Sequence, residues 1–169
     1  MSARATYVQI ASICFAHVAF DHERLIAITL VNTAAGPQAR ASEWPSHVRD
    51  VVARLERYAR GDEPAFHEVP LPLDELTPFA ARVSRQLRGT APGSVLAYGD
   101  LAAQCGAPGA SRAIGGTLAR NRWLLVVPCH RVVRTGGALG GFSGGRGVAT
   151  KRALLEHEQS AFRTVHAPG

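Results

Sequence analysis

Residues 100–121, "DLAAQCGAPGASRAIGGTLARN", decide how this sequence folds. A short apolar run, the turn Ala-Pro-Gly-Ala and a second run, "SRAIGGTLARN", predict two short helices with a tight glycine-containing connection, a helix-turn-helix pattern. Any two packed short helices share that outline, so the second helix carries the argument. Ser111 is placed to cap it and Arg112 lies in its first turn, while Gly115, Gly116 and Thr117 leave it nearly bare of bulk. Small side chains let a backbone come close to another surface. Flanked by Arg112, Arg120 and Arg122, such a face suits a nucleic-acid groove better than a core.

The charge distribution points the same way. Residues 1–81 carry 7 basic and 10 acidic side chains, residues 82–152 carry 11 and 1, and the rest of the chain 1 and 2. The net charge of +6 is therefore concentrated in one half, the footprint of a surface that meets a polyanion. No stretch reaches the apolar length of a membrane span, and the first residues are too polar to read as a secretory signal. The three cysteines, Cys14, Cys105 and Cys129, are too few and too scattered for a disulfide framework or a four-ligand zinc site. No metal and a reducing compartment, the cytoplasm or nucleoid, are expected.

Outward from this motif the texture changes twice. Residues 6–31 hold two β-branched, partly alternating runs separated by the polar "DHER", a hairpin or the start of a sheet. "SHVRDVVARLERYARG" repeats Val48, Val51, Val52, Leu55 and Tyr58 at helical spacing, with Ser46 as cap and Gly61 as stop. The proline-rich "EPAFHEVPLPLDEL" predicts a last strand and a linker. A second helix runs from Thr77 to Gly89 with Phe79, Val83 and Leu87 on one face. The fold class is mixed α/β (α+β): a small sheet-and-helix domain over 1–73, and a mostly helical domain with a winged helix-turn-helix-like motif over 74–169.

The chemistry centres on "VVPCHRVV", residues 126–133. A lone cysteine is most often a small buried hydrophobe, and Cys14 and Cys105 read that way. Cys129 differs: Pro128 precedes it, His130 and Arg131 follow, and the glycine-rich "TGGALGGFSGG" lies close behind. A thiolate needs positive potential or a base, and an imidazole supplies both. A histidine base is itself oriented by a carboxylate, and "KRALLEHE" offers Glu156 and Glu158 on a helix. On these residues alone the set fits a thiol hydrolase or a one-step thiolate acceptor.

"VVPCHRVV", with Tyr98–Gly99 and "SRAIGGTLARN" before it and "GFSGG" and "KRALLEHE" after it, closely resembles the methylated-DNA–protein-cysteine methyltransferases, the O6-alkylguanine-DNA alkyltransferases. The resemblance runs from about Thr77 to Glu158. It implies direct, single-turnover transfer of an alkyl group from a flipped O6-alkylguanine, possible also for O4-alkylthymine, to a cysteine, without cofactor. Cys129 then matches the acceptor, His130 the base acting through a water, Glu158 the carboxylate orienting His130, and Asn121 the asparagine bracing the network. Tyr98 matches the tyrosine that donates toward the purine and crowds the target phosphate. Arg112 matches the arginine that fills the emptied stack, within a DNA-binding helix of Ser111, Gly115, Gly116, Thr117, Arg120 and Arg122. Val132, Phe142 and Ser143 match the base pocket. The implied partner is double-stranded DNA approached from the minor groove by a monomer. The sequence departs from the family pattern at Ser84, where a tryptophan is usual, at Phe142, where tyrosine is common, and in a linker before "KRALL" about two residues longer.

Three other readings compete. A lesion-binding protein without transfer would not need Cys129, a thiol hydrolase would not need the basic small-residue helix, and a helix-turn-helix regulator would need the thiol only as a sensor.

Overall fold

A computed structural model describes residues 3–162. Three antiparallel strands, β1 (Arg4–Ile10), β2 (Cys14–Phe20) and β3 (Leu25–Val31), form a meander with β2 in the centre. Alternation puts Val8, Ile10, Ala16, Val18, Ile28 and Leu30 on the buried face. The apolar run expected to be one strand is folded in two at Ala11–Ile13, with Ala11 at φ 47°. Nothing in "IASIC" marks this turn, because alanine there adopts a left-handed conformation that glycine or asparagine usually supplies.

Helix α1 (Ser46–Arg60) covers the sheet with Val48, Val51, Val52, Leu55 and Tyr58, the positions its spacing predicts. Gly61 ends it at φ 84°, the left-handed conformation that favours glycine. Ser46 is the first helical residue and makes no cap bond; Pro45 precedes it. The expected strand after α1 is absent. Phe66–Glu68 and Leu73–Glu75 are single 3-10 turns, consistent with prolines at 64, 70 and 72 that cannot donate to a ladder.

Helix α2 (Pro78–Arg88) begins as read, with Thr77 Oγ1 accepting from Ala80 N and Pro78 at the first position. The two-residue strand β4 (Leu96–Ala97) leads straight into α3 (Tyr98–Gln104), which packs on α4 (Ser111–Ala119) as the helix pair. Ser111 is not the cap: Ala110 occupies that place and no side chain caps α4. After β5 (Val132–Val133), α5 (Val148–Ala161) is the last element among the described residues.

Buried side chains on both sides of Leu73 share one cluster. The free edge of β3 is covered by the segment after α4: Ile28 N donates to Arg122 O at 2.7 Å and Leu124 N to Ile28 O at 3.0 Å. One residue pair along, Gly145 N donates to Leu30 O at 2.8 Å. The N-terminal sheet thus grips both the segment that leads to Cys129 and the glycine-rich loop beyond it.

Candidate active site

Cys129 sits where an apolar segment meets a turn. Trp123 to Val127 are buried, Pro128 breaks the run, and Cys129–Arg131 make one 3-10 turn that hands the chain to β5. Strand β5 pairs in parallel with β4, Leu96 opposite Val132 and Ala97 opposite Val133. Since Tyr98 follows β4 directly and Cys129 lies just before β5, this short ladder sets both on the same cavity.

The thiol is buried, 6% exposed. Asn121 Nδ2 donates to its Sγ at 3.3 Å and to Val127 O at 2.8 Å, while Asn121 Oδ1 accepts from Trp123 N at 3.0 Å. That amide is fixed on three sides and points a donor at the sulfur. Burial pushes the thiol pKa up, more than the Asn121 bond and the Lys151 charge pull it down. A thiol shifted up in this way stays protonated at neutral pH, so a base is required.

That base has a complete support. His130 and Glu158 have side-chain exposures of 1% and 0%, and His130 Nε2 lies 2.6 Å from Glu158 Oε1. A carboxylate can only accept, so Nε2 carries the proton and Nδ1 is left with a lone pair. Glu158 Oε1 also accepts from Tyr58 Oη and Arg131 Nη2, both at 3.0 Å; Oε2 accepts from Arg131 Nε and Gly93 N, both at 2.9 Å. Burial pushes the Glu158 carboxyl up, but the charges and hydrogen bonds of its cationic and donor neighbours outweigh it, and it stays well below the usual carboxylate range. His130 is shifted down, first by burial, against the pull of Glu158. We take the pair as carboxylate and neutral imidazole, because Arg131 alone balances the Glu158 charge. Glu156 is exposed, which settles which carboxylate meets His130.

A cavity of about 770 Å³ opens onto the thiol. Its walls include Tyr98, Arg112, Gly115 and Gly116 from the helix pair, and Arg134, Phe142 and Ser143 from the loops after β5. Ser111 also lines it. Tyr98 keeps its proton, its pKa raised by burial and then by Cys129. Gly140, at φ 71°, lies so near Tyr98 that a Cβ there would be 3.2 Å from the hydroxyl oxygen. Lys151, fully buried, donates to the carbonyls of Val132 and Leu139, pinning the loop that carries Phe142 and Ser143.

Other predicted residues lie elsewhere. Val132 has a fully buried side chain, and both its backbone groups are engaged, N–H with Cys129 O and C=O with Lys151. Arg122 is turned from the cavity, its guanidinium over the Trp123 ring at 4.7 Å and 3.9 Å from the Glu75 carboxylate. Thr117 and Arg120 are not cavity walls; the Arg120 guanidinium lies over Gly116. In the sequence Arg131 stands out only as a neighbour of Cys129 and Tyr58 only as an apolar helix position, and nothing there gives Lys151 or Arg134 a role. Arg131 and Lys151 enter the charge count of the C-terminal half, and only folding reveals their buried partners.

Comparison with known proteins shows the family to which the chain belongs. The family model described as 6-O-methylguanine DNA methyltransferase, DNA binding domain, matches residues 78–160. A methylated-DNA–protein-cysteine methyltransferase of Mycobacterium bovis is 40% identical over 116 residues, 69% of this chain and 68% of that protein. This chain belongs to that family. The methylated-DNA–protein-cysteine methyltransferase of Salmonella typhimurium is 49% identical over 82 residues, 48% of this chain, and the match spans about half of that relative's length, 47%. The structure of Mycobacterium tuberculosis OGT in complex with DNA superposes with a TM-score of 0.72 at 32% identity, covering 94% of this chain and 93% of that one. An O6-methylguanine-DNA methyltransferase from Pyrococcus kodakaraensis, 24% identical with a TM-score of 0.60, shares the fold. The family's methyltransferase fold thus extends over the N-terminal sheet as well as the helix pair. Among the described residues no helix is long and apolar enough to cross a membrane.

Proposed function

We propose that this protein repairs O6-alkylguanine in double-stranded DNA by transferring the alkyl group to Sγ of Cys129, irreversibly and once per molecule. The observation that carries the reading is the thiol at a cavity wall, held by Asn121 and followed by a buried His130–Glu158 pair. Family membership supports the same reaction.

The target base must leave the stack before an atom on its edge can meet a thiol inside a cavity, which costs roughly a few kcal/mol. Arg112 is exposed on α4 at the cavity wall, the position from which a planar cation can take the vacated place. The small-residue face of α4 suits close approach to the minor groove. In the cavity, Tyr98 donates a hydrogen bond toward the purine and Ser143 offers backbone and hydroxyl donors. Phe142 presents an aromatic face without a hydroxyl, so it contributes contact only.

The steps balance without a cofactor. No hydrogen bond joins Cys129 to His130 directly, so the thiol proton reaches Nδ1 by a relay such as water. The thiolate attacks the alkyl carbon, the C–S bond forms as the C–O6 bond breaks, and the electron pair leaves on the guanine. The proton held by His130 returns to that guanine. A neutral thioether remains, with no group placed to reverse it. We place the protein as a monomer with DNA in the cytoplasm or nucleoid.

Limiting protein mixed with excess O6-methylguanine duplex tests this. Guanine restored to one equivalent and no further is the expected result. Restoration that continues past one equivalent would contradict single use, and tight lesion binding with no restoration would favour recognition without transfer.

A further inference from the structure

The base pair of the mechanism, His130 and Glu158, belongs to the C-terminal half, yet one donor on the carboxylate comes from α1. Tyr58 is fully buried, and its hydroxyl donates to Glu158 Oε1 at 3.0 Å across 100 residues of sequence. That oxygen is the one His130 Nε2 meets at 2.6 Å. The ring is held independently: Phe66, His157 and Phe162 pack around it with centroids 5.3–5.9 Å away, and His157 Nε2 lies 2.9 Å from Tyr58 O. With five donors on one carboxylate, more than its roughly four lone-pair sites, each takes a share of its charge.

We propose that Tyr58 is a positioning residue for alkyl transfer: its hydroxyl holds Glu158 Oε1 in line with His130 and, beside Arg131, takes up part of the charge that faces the imidazole. The proposal rests on the reading of His130 as the base. The N-terminal sheet-and-helix layer then has a part in the chemistry as well as in the core. The ionisable groups around the pair are accounted for: Arg131 from the turn after Cys129, Lys151 and His157 on α5, and Cys14 on β2 beside Tyr58.

Removing the hydroxyl leaves more negative charge facing the imidazole, which favours the protonated form. The acid limb of the transfer rate therefore moves to higher pH. A move of about half a pH unit lowers the rate about threefold on that limb, where the rate follows the fraction of neutral imidazole.

Two measurements on Tyr58→Phe test this. Single-turnover methyl transfer from an O6-methylguanine duplex is followed against pH, and the His130 imidazole is titrated by NMR in the free protein. The expected result is a shift of both to higher pH, with one methyl still accepted per molecule. Phe66→Leu, which loosens the same ring and leaves the hydroxyl, is expected to lower stability without moving either curve. A Tyr58→Phe imidazole titration superimposable on wild type would overturn the proposal, as would an equal shift in Phe66→Leu. Because the NMR titration needs no transfer, a failure of the alkyl-transfer reading would show separately, as an absence of methyl uptake by wild type.

Discussion

Replacing Glu158 by glutamine keeps the size of the side chain and removes one negative charge from a site with no access to water. The wild-type carboxylate accepts five hydrogen bonds, two of them from an Arg131 guanidinium that is itself 4% exposed. An amide cannot reproduce this. With its oxygen toward His130, Tyr58 and Arg131 Nη2, its NH2 group confronts Arg131 Nε and Gly93 N; turned over, it confronts the other three. Either way, at least two donors lose their acceptor and the Arg131 charge is left uncompensated. Removing one partner of a buried ion pair costs about 3–5 kcal/mol, a large part of the ~5–15 kcal/mol that holds a domain folded. Urea unfolding at pH 7 measures it, with Glu156→Gln as an exposed control expected within about 0.5 kcal/mol of wild type. The pH dependence gives a second check. Glu158 is shifted down in the folded protein, so its contribution is complete above the unfolded carboxylate value near 4.3 and is lost as pH falls toward the folded value. The gap between wild type and Glu158→Gln should therefore narrow in acid. A loss below about 1 kcal/mol at pH 7, or a gap independent of pH, would refute the reasoning.

Other outcomes follow from the same geometry. Asn121→Ala removes the donor on Sγ and should slow transfer about tenfold or more, since a hydrogen bond to a charged group contributes ~1.5–3 kcal/mol; alkylation of Cys129 by iodoacetamide against pH should show the thiol pKa raised further. Arg112→Ala should slow repair in duplex DNA about tenfold, the equivalent of ~1.4 kcal/mol out of the base-flipping cost, and slow reaction with the free base far less; equal losses on both would place Arg112 in the chemistry instead. Binding to undamaged duplex should fall about fortyfold between 50 and 200 mM salt if Arg112, Arg120 and Arg134 each neutralise one phosphate. A flat salt response would remove the basic face from the account.

Much of this molecule is legible in the sequence where local rules apply. Helix α2 follows from Thr77, Pro78 and the Phe79–Val83–Leu87 spacing, and α1 from its valines and Gly61. The reading fails where a backbone departs from residue preference, as at Ala11, and where tertiary partners decide. Arg88 donates to the carbonyls of Phe66, His67 and Val69, Arg131 lies on Glu158, Arg122 near Glu75 and Lys151 on buried carbonyls. Each counts as surface charge in the sequence, so the face left for DNA is less basic than the composition suggests. For Tyr58 the helical spacing identifies a core position correctly and conceals the hydroxyl's partner, because no local pattern connects α1 with α5. Cys129, His130 and Asn121 are legible because the motif is contiguous and resembles a known family. Of their support, Glu158 on α5 is legible through the same resemblance, while the Tyr58 hydroxyl from α1, the Arg131 guanidinium and the Gly93 N–H are not, because only folding brings them to that carboxylate.

Intact mass followed by peptide mapping, after one round of reaction with a duplex containing O6-methylguanine, tests the central claim most directly. The account predicts a gain of one methyl group, carried on the peptide that contains Cys129 and absent from those with Cys14 and Cys105. An unchanged mass, or a methyl on another residue, would contradict it.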